Sequence, residues 1–317
     1  MRRGWIVCFT LGVFGGPSHA GRIASDGELV PLATRVFHDR CPKRLLGDER
    51  FPFREAEIAC AAFVAGALHA HTKVHGSTRT IRLALDGMVR VALSPTAMEP
   101  FASTGWSRVN GRRMPRSVLY RGWLAYIFAM REGVSPGRIQ SATYHALVRG
   151  LARDLGDRYV PSFGGAIYPC DHAPAAAALT LYGARFSDPE IAEVGASLRN
   201  RLQKLLDAGF PTRVTKRGRV SGPERGTPHA FVAAFMVEAD PALARRFAIH
   251  LYEHFCVDRG FVAGCTETTG GDGPVDSASG PSIAGLAVGT TALALAASAA
   301  APDHPLVPSL WRTAAVV

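Results

Sequence analysis

The 317-residue chain predicts an all-α protein, an (α/α)6 toroid of alternating inner and outer helices. Apolar residues recur at three- and four-residue spacing along most of its length. Segments that are apolar all round alternate with segments that are apolar on one face, as when buried helices are wrapped by solvent-facing ones. Short Gly, Pro or Asp loops separate them, and the only strand signal is a hairpin arm over 213–220.

The first helix is expected over 54–70, where Ile58, Ala61, Ala62, Ala65 and Leu68 share a face. A second over 81–93 repeats the pattern with Leu85, Met88 and Val89. Residues 118–130 are rich in aromatics, and 141–155 follow the Pro136-Gly137 break. The stretch 173–186 is small and apolar nearly all round, whereas 189–206 turns Arg199, Arg201 and Lys204 outward. An apolar helix over 228–237 precedes an amphipathic one over 241–256. The run 282–300 carries no charge and is long enough to cross a bilayer. Its glycines and threonines make it only mildly hydrophobic, so it reads as an inner helix that Pro302 stops. Ten or eleven helices result, close to the twelve of the toroid.

Residues 1–20 have the three parts of a cleavable signal: Arg2-Arg3, a short apolar stretch, and Ser18-His19-Ala20. Export to the periplasm or beyond is therefore expected, leaving one domain over 21–317. The formal charge of +10 is spread along the chain. Its two small basic clusters, at 112–116 and 216–219, lack the interleaved aromatics of a single-strand nucleic-acid binder. Nucleic acid is excluded on that ground, and a weak association with a membrane surface or acidic polymer stays open. With Cys8 removed, five cysteines remain, an odd number, so at least one thiol is unpaired. Cys170 is expected to be that thiol, and Cys256 with Cys265 the favoured disulfide. Nothing in the sequence settles the oligomeric state.

The sharpest motif is Tyr168-Pro169-Cys170-Asp171-His172, directly before the small apolar helix. A helix N-terminus stabilises a thiolate, while Asp171 opposes that or simply caps the helix. The second is Cys265-Thr266-Glu267-Thr268-Thr269 and the glycine-rich loop through Asp276. A carboxyl near apolar walls has its pKa raised and can act as an acid, and Asp276 equally reads as a cap. His69, His71 and His75 crowd a helix end, where the dipole favours cations. His250-Leu251-Tyr252-Glu253-His254 matches the H-x-x-E-H pattern of inverted zinc peptidases. Phe247, Leu251 and Phe255 at helical spacing make it a core helix, and no metal or organic cofactor is assigned. In the segment Pro223 to His229, Thr227 reads as a helix cap, and Glu224, Arg225 and His229 as possible cavity residues.

From about Ser117 to Ala300 these motifs resemble, in order and spacing, the linalool dehydratase/isomerase family. Leu119-Tyr120-Arg121-Gly122-Trp123 is similar to its Tyr-Lys-Gly-His segment, and Tyr168-Pro169-Cys170-Asp171 to its second cysteine followed by Asn. Trp123 stands where the family has His, and the family's first cysteine has no counterpart. The resemblance implies an (α/α)6 barrel and cofactor-independent acid–base chemistry on a small terpenoid alcohol. Cys170, Asp171 and Glu267 would be catalytic, converging on one cavity, with Tyr120, Trp123, Tyr126, Tyr168, His172, His229 and Asp276 around the substrate. Two rival readings use the same cavity: a glycoside-active enzyme with Asp171 and Glu267 as acid and base, or an exported binding protein without turnover.

Overall fold

The computed structural model describes residues 55–137, 141–156, 158–269 and 279–316. The expected signal peptide and Asp276 lie outside the described residues. The described residues are 64 % helix and 12 % strand and include eleven α-helices. In order these are α1 (Ala56–His75), α2 (Arg79–Ala92), α3 (Pro95–Met98), α4 (Val118–Val134), α5 (Ser141–Leu155) and α6 (Ala173–Phe186). They continue as α7 (Pro189–Asp207), α8 (Gly226–Met236), α9 (Pro241–Phe255), α10 (Val288–Ala297) and α11 (Val307–Val316).

Side-chain polarity sorts them. Helices α1, α4, α6, α8 and α10 are buried on almost every side, and each is followed by a helix with a solvent face. Successive buried helices pack on one another, α1 on α4, α4 on α6, α6 on α8 and α8 on α10, while α2, α5, α7, α9 and α11 cover them. Small residues permit the close approach. A Cβ on Gly122 of α4 would come within 3.0 Å of the Ala175 backbone nitrogen of α6. Phenolic hydroxyls tie the two layers: Tyr120 donates to the Ala92 carbonyl and Tyr252 to that of Ala294, both at 2.9 Å. Thr78, Ser94, Ser117, Asp188 and Asp240 cap their helices through side-chain oxygens, relieving unpaired N–H groups of the first turn.

Strands among the described residues form four antiparallel hairpins: β1 (Trp106–Val109) with β2 (Arg112–Pro115), β3 (Pro211–Val214) with β4 (Val220–Glu224), β5 (Cys256–Asp258) with β6 (Ala263–Cys265), and β7 (Ser282–Ile283) with β8 (Leu286–Ala287). The last corrects the expected helix over 282–300, which begins only at Val288. Ala284 and Gly285 both take positive φ, the conformation of a tight two-residue hairpin turn, and break the helical run. Among the described residues no helix is long and apolar enough to cross a membrane.

Candidate active site

The Cys170 loop is held from both sides before it enters α6. Ser162 and Ala166 exchange a backbone bond across the Gly164-Gly165 turn, and Val214 of β3 donates to the Ile167 carbonyl. Pro169–His172 then forms one 3-10 turn, all of it buried. His172 locks this turn: the Val160 N–H donates to its Nε2 at 3.2 Å, and its Nδ1 faces the Tyr168 carbonyl at 3.1 Å. These contacts define a neutral imidazole protonated on Nδ1, and burial lowers its pKa to about 4. Both ring nitrogens of His172, expected from sequence beside the substrate, are thus engaged in bracing the loop. Tyr120, whose hydroxyl is spent on Ala92, is likewise a tie between helices. Tyr168 is half-buried beneath the Arg213 guanidinium, 5.3 Å from its ring.

Asp171 does not cap α6, which starts without any side-chain cap. Its carboxyl lies beside the Cys170 thiol, which donates to Oδ1 at 3.5 Å. Burial pushes Asp171 up to about 6, and the Ser162 hydroxyl and the thiol offset part of that rise. Cys170 is an unpaired, buried thiol, as its position suggested. Burial and then the Asp171 charge push its pKa well up, so the opposition of Asp171 outweighs the help a helix N-terminus gives a thiolate. Trp123 and Tyr126 are buried nearby on α4, which packs against this turn. The Trp123 ring lies 6.0 Å from Phe231, and its indole N–H has no hydrogen-bond partner among the described residues.

Glu267 follows the β5–β6 hairpin, where Cys256 and Cys265 are directly opposed and disulfide-bonded. Thr266 donates its N–H to the Phe255 carbonyl at 2.7 Å, turning the chain inward. The Glu267 carboxylate is almost fully buried. Arg225 Nε stands 2.6 Å from Oε1, while the hydroxyls of Thr227 and Thr290 each lie 2.6 Å from Oε2 and 2.8 Å from each other. Thr227 therefore serves Glu267 and is not the cap expected, since α8 begins one residue earlier. A guanidinium and two hydroxyl donors favour the carboxylate anion. The three oxygens make three mutual contacts but hold two hydroxyl protons, so one further proton would complete the ring. The Cys170–Asp171 turn packs on α8, and Thr227 in the first turn of that helix holds Glu267.

His229 is also buried, but its partner is Glu224, with Nε2 and Oε1 at 2.8 Å. His250 Nε2 is 3.0 Å from the same oxygen, and the two imidazoles stack at 4.5 Å. Phe210 donates its N–H to that oxygen as well. The His229 bond, outweighing partial burial, holds the Glu224 carboxyl down at about 2. Glu224, His229 and His250 are the one set among the described residues whose donor atoms cluster as metal ligands do. The H-x-x-E-H stretch thus contributes His250 alone to that set, Glu253 being exposed. Sequence reasoning missed Thr290 because a threonine in an apolar run carries no signal of its own. No protein-family model matches the chain, and no curated protein matches it.

Proposed function

We propose that this chain is an exported, cofactor-independent lyase or isomerase that removes or moves the hydroxyl of a small apolar alcohol, within a closed (α/α)6 toroid. The observation that carries the reading is the pair of unlike buried carboxyls, Asp171 in the turn packed on α8 and Glu267 bonded to Thr227 of that helix. Asp171, buried and titrating at about 6, keeps a proton far closer to neutrality than an ordinary carboxyl, and the fraction that carries it can give it to a departing hydroxyl. Glu267, held as an anion by Arg225, takes the proton from the neighbouring carbon, and that proton closes its ring with Thr227 and Thr290. Environments that push two carboxyls apart define the acid and the base. Water leaves with the proton of Asp171, the C–H electrons form the double bond, and proton return from Glu267 resets the acid. Cys170, kept as a thiol, positions Asp171. The Trp123 face would stabilise positive charge on carbon, and its indole N–H could hold the hydroxyl. The Cys256–Cys265 disulfide supports export, since such bonds persist in oxidising compartments.

The test is incubation of the purified chain with tertiary and allylic terpenoid alcohols, followed by gas chromatography–mass spectrometry. Alkene or transposed alcohol, absent with Asp171→Asn, is the expected result. Release of sugar from oligosaccharides instead would transfer the same two carboxyls to glycoside hydrolysis. Binding of an alcohol without turnover would make the protein a carrier.

A further inference from the structure

A cleft lies between the β1–β2 hairpin, α5 and the β3–β4 turn, with a volume of about 890 Å³. Its basic residues are scattered through the sequence and converge only in the fold. Arg149 and Arg153 project from one face of α5, one turn apart, and Arg158 follows that helix. Arg108 and Arg116 come from the hairpin, and Lys216 from the β3–β4 turn. Arg121 of α4 lines the cleft while only 3 % exposed.

Asp154 is the sole acid among the described lining residues, and Arg121 holds it at 2.7 Å. Arg158 approaches the same carboxylate at 3.9 Å. No ion pair among the described residues engages Arg108, Arg149, Arg153 or Lys216. Arg121 also donates to the Arg116 carbonyl at 3.2 Å, yet its buried Nε–H has no hydrogen-bond partner among the described residues. Like charges gathered from four elements repel one another, and a low-dielectric wall concentrates their field on whatever enters. Ser107, Asn110 and Tyr159 add neutral polar groups along the walls.

From this convergence we infer that the cleft binds a small ligand bearing two or more phosphate groups. The guanidinium fork matches phosphate oxygens in pairs, and the volume is that of a small-molecule site. Tyr159 is the lone aromatic among the described lining residues, so the stacking platform that single-stranded nucleic acid requires is missing from them. The inference is independent of the alcohol chemistry. The cleft meets that site through Val160, whose N–H holds His172, and through Tyr159, whose ring packs edge-on to the His172 ring at 5.3 Å.

The experiment is isothermal titration of the intact chain with inorganic pyrophosphate at fixed ionic strength. A parallel arm measures sedimentation with vesicles containing an anionic phospholipid. Arg149 and Arg153 are exposed, so the double variant Arg149→Glu/Arg153→Glu should fold, which circular dichroism verifies. Pyrophosphate should bind the wild type and lose at least tenfold in affinity in that variant. Arg82→Glu, a half-buried position on α2 outside the cleft, should bind unchanged. Vesicle binding through the same two arginines, without pyrophosphate binding, would keep the site and name a lipid headgroup as its phosphate source. Binding of neither probe, or an equal loss in Arg82→Glu, overturns the inference.

Discussion

The Cys170 thiol donates to Asp171 Oδ1 across 3.5 Å, and the two groups face each other with their ordinary acidities displaced in the same direction. Each is buried, so each resists becoming an anion, and a second negative charge beside the first would raise the cost further. At neutral pH the thiol therefore keeps its proton, while Asp171 keeps its own only below about pH 6. The consequences for stability and rate have opposite signs.

For stability, Asp171 moves from an ordinary 3.8 to about 6 on folding. A raised carboxyl penalises the folded state above that value, and the penalty fades as pH falls from 6 towards 3.8. About two pKa units correspond to roughly 3 kcal/mol at most. Asp171→Asn keeps the shape and removes the penalty, so it should raise the melting temperature by several degrees at pH 8. At pH 4.5 the gain should shrink, while turnover is abolished at both. Thermal scans across this range check it; an equal shift at all pH values would remove Asp171 from the buried, titrating role.

His172 has the reverse pH dependence. Its folded pKa is lowered from 6.5 to about 4, so the unfolded chain takes up a proton that the native loop refuses. Stability from this group is complete above 6.5 and is lost as pH falls towards 4. His229 and His250, also lowered chiefly by burial, add to the loss in the same direction. In the wild type the gain from Asp171 partly masks this acid sensitivity. Asp171→Asn should expose it, giving a steeper fall in melting temperature between pH 6.5 and 4 than the parent shows.

How much of this was legible beforehand differs by element. Helices α5 and α6 begin and end where their apolar spacing and flanking Gly, Pro and Asp residues indicate, because burial and capping act locally. The β1–β2 hairpin carried a readable signal, Asn110-Gly111, whose two positive φ values form its turn, in a segment for which no strand was expected. The β7–β8 turn had none, since Ala284 rarely adopts its conformation and the flanking residues suit a buried helix. Cys170, Asp171 and Glu267 stood out by their chemistry. Their partners did not: the Thr227–Thr290 contact spans 63 residues of chain, and only the fold pairs them. The basic cleft was hidden for the same reason, its arginines being unremarkable one by one.

The Cys256–Cys265 bridge joins opposed residues of one short hairpin and fixes the strand end from which Thr266 and Glu267 continue. A loop this short gives an entropic stabilisation of about 2–3 kcal/mol in the chain-entropy model. The double variant Cys256→Ala/Cys265→Ala should melt several degrees lower. It should also lose more turnover than its stability loss explains, because Glu267 is no longer anchored. Cys170, by contrast, should resist thiol reagents in the native protein and react once the chain is unfolded, as peptide mapping would show.

The Thr227–Thr290–Glu267 ring allows the base to be tested without removing it. Glu267→Gln would leave Arg225 beside a neutral group, and breaking a buried ion pair costs about 3–5 kcal/mol, so loss of activity could reflect loss of fold. Thr290→Val keeps the branched shape and deletes one hydroxyl donor to Oε2. With that donor gone the anion is less stabilised, and the carboxyl should protonate at higher pH. A base works in its ionised form, so the acidic limb of the pH–rate profile should move to higher pH, with turnover reduced about tenfold at pH 6. Thr290→Ser restores the hydroxyl and should restore the limb. A purely structural threonine would give the opposite pattern, lowered stability with an unmoved profile, and that outcome would take Glu267 out of the proton-accepting role.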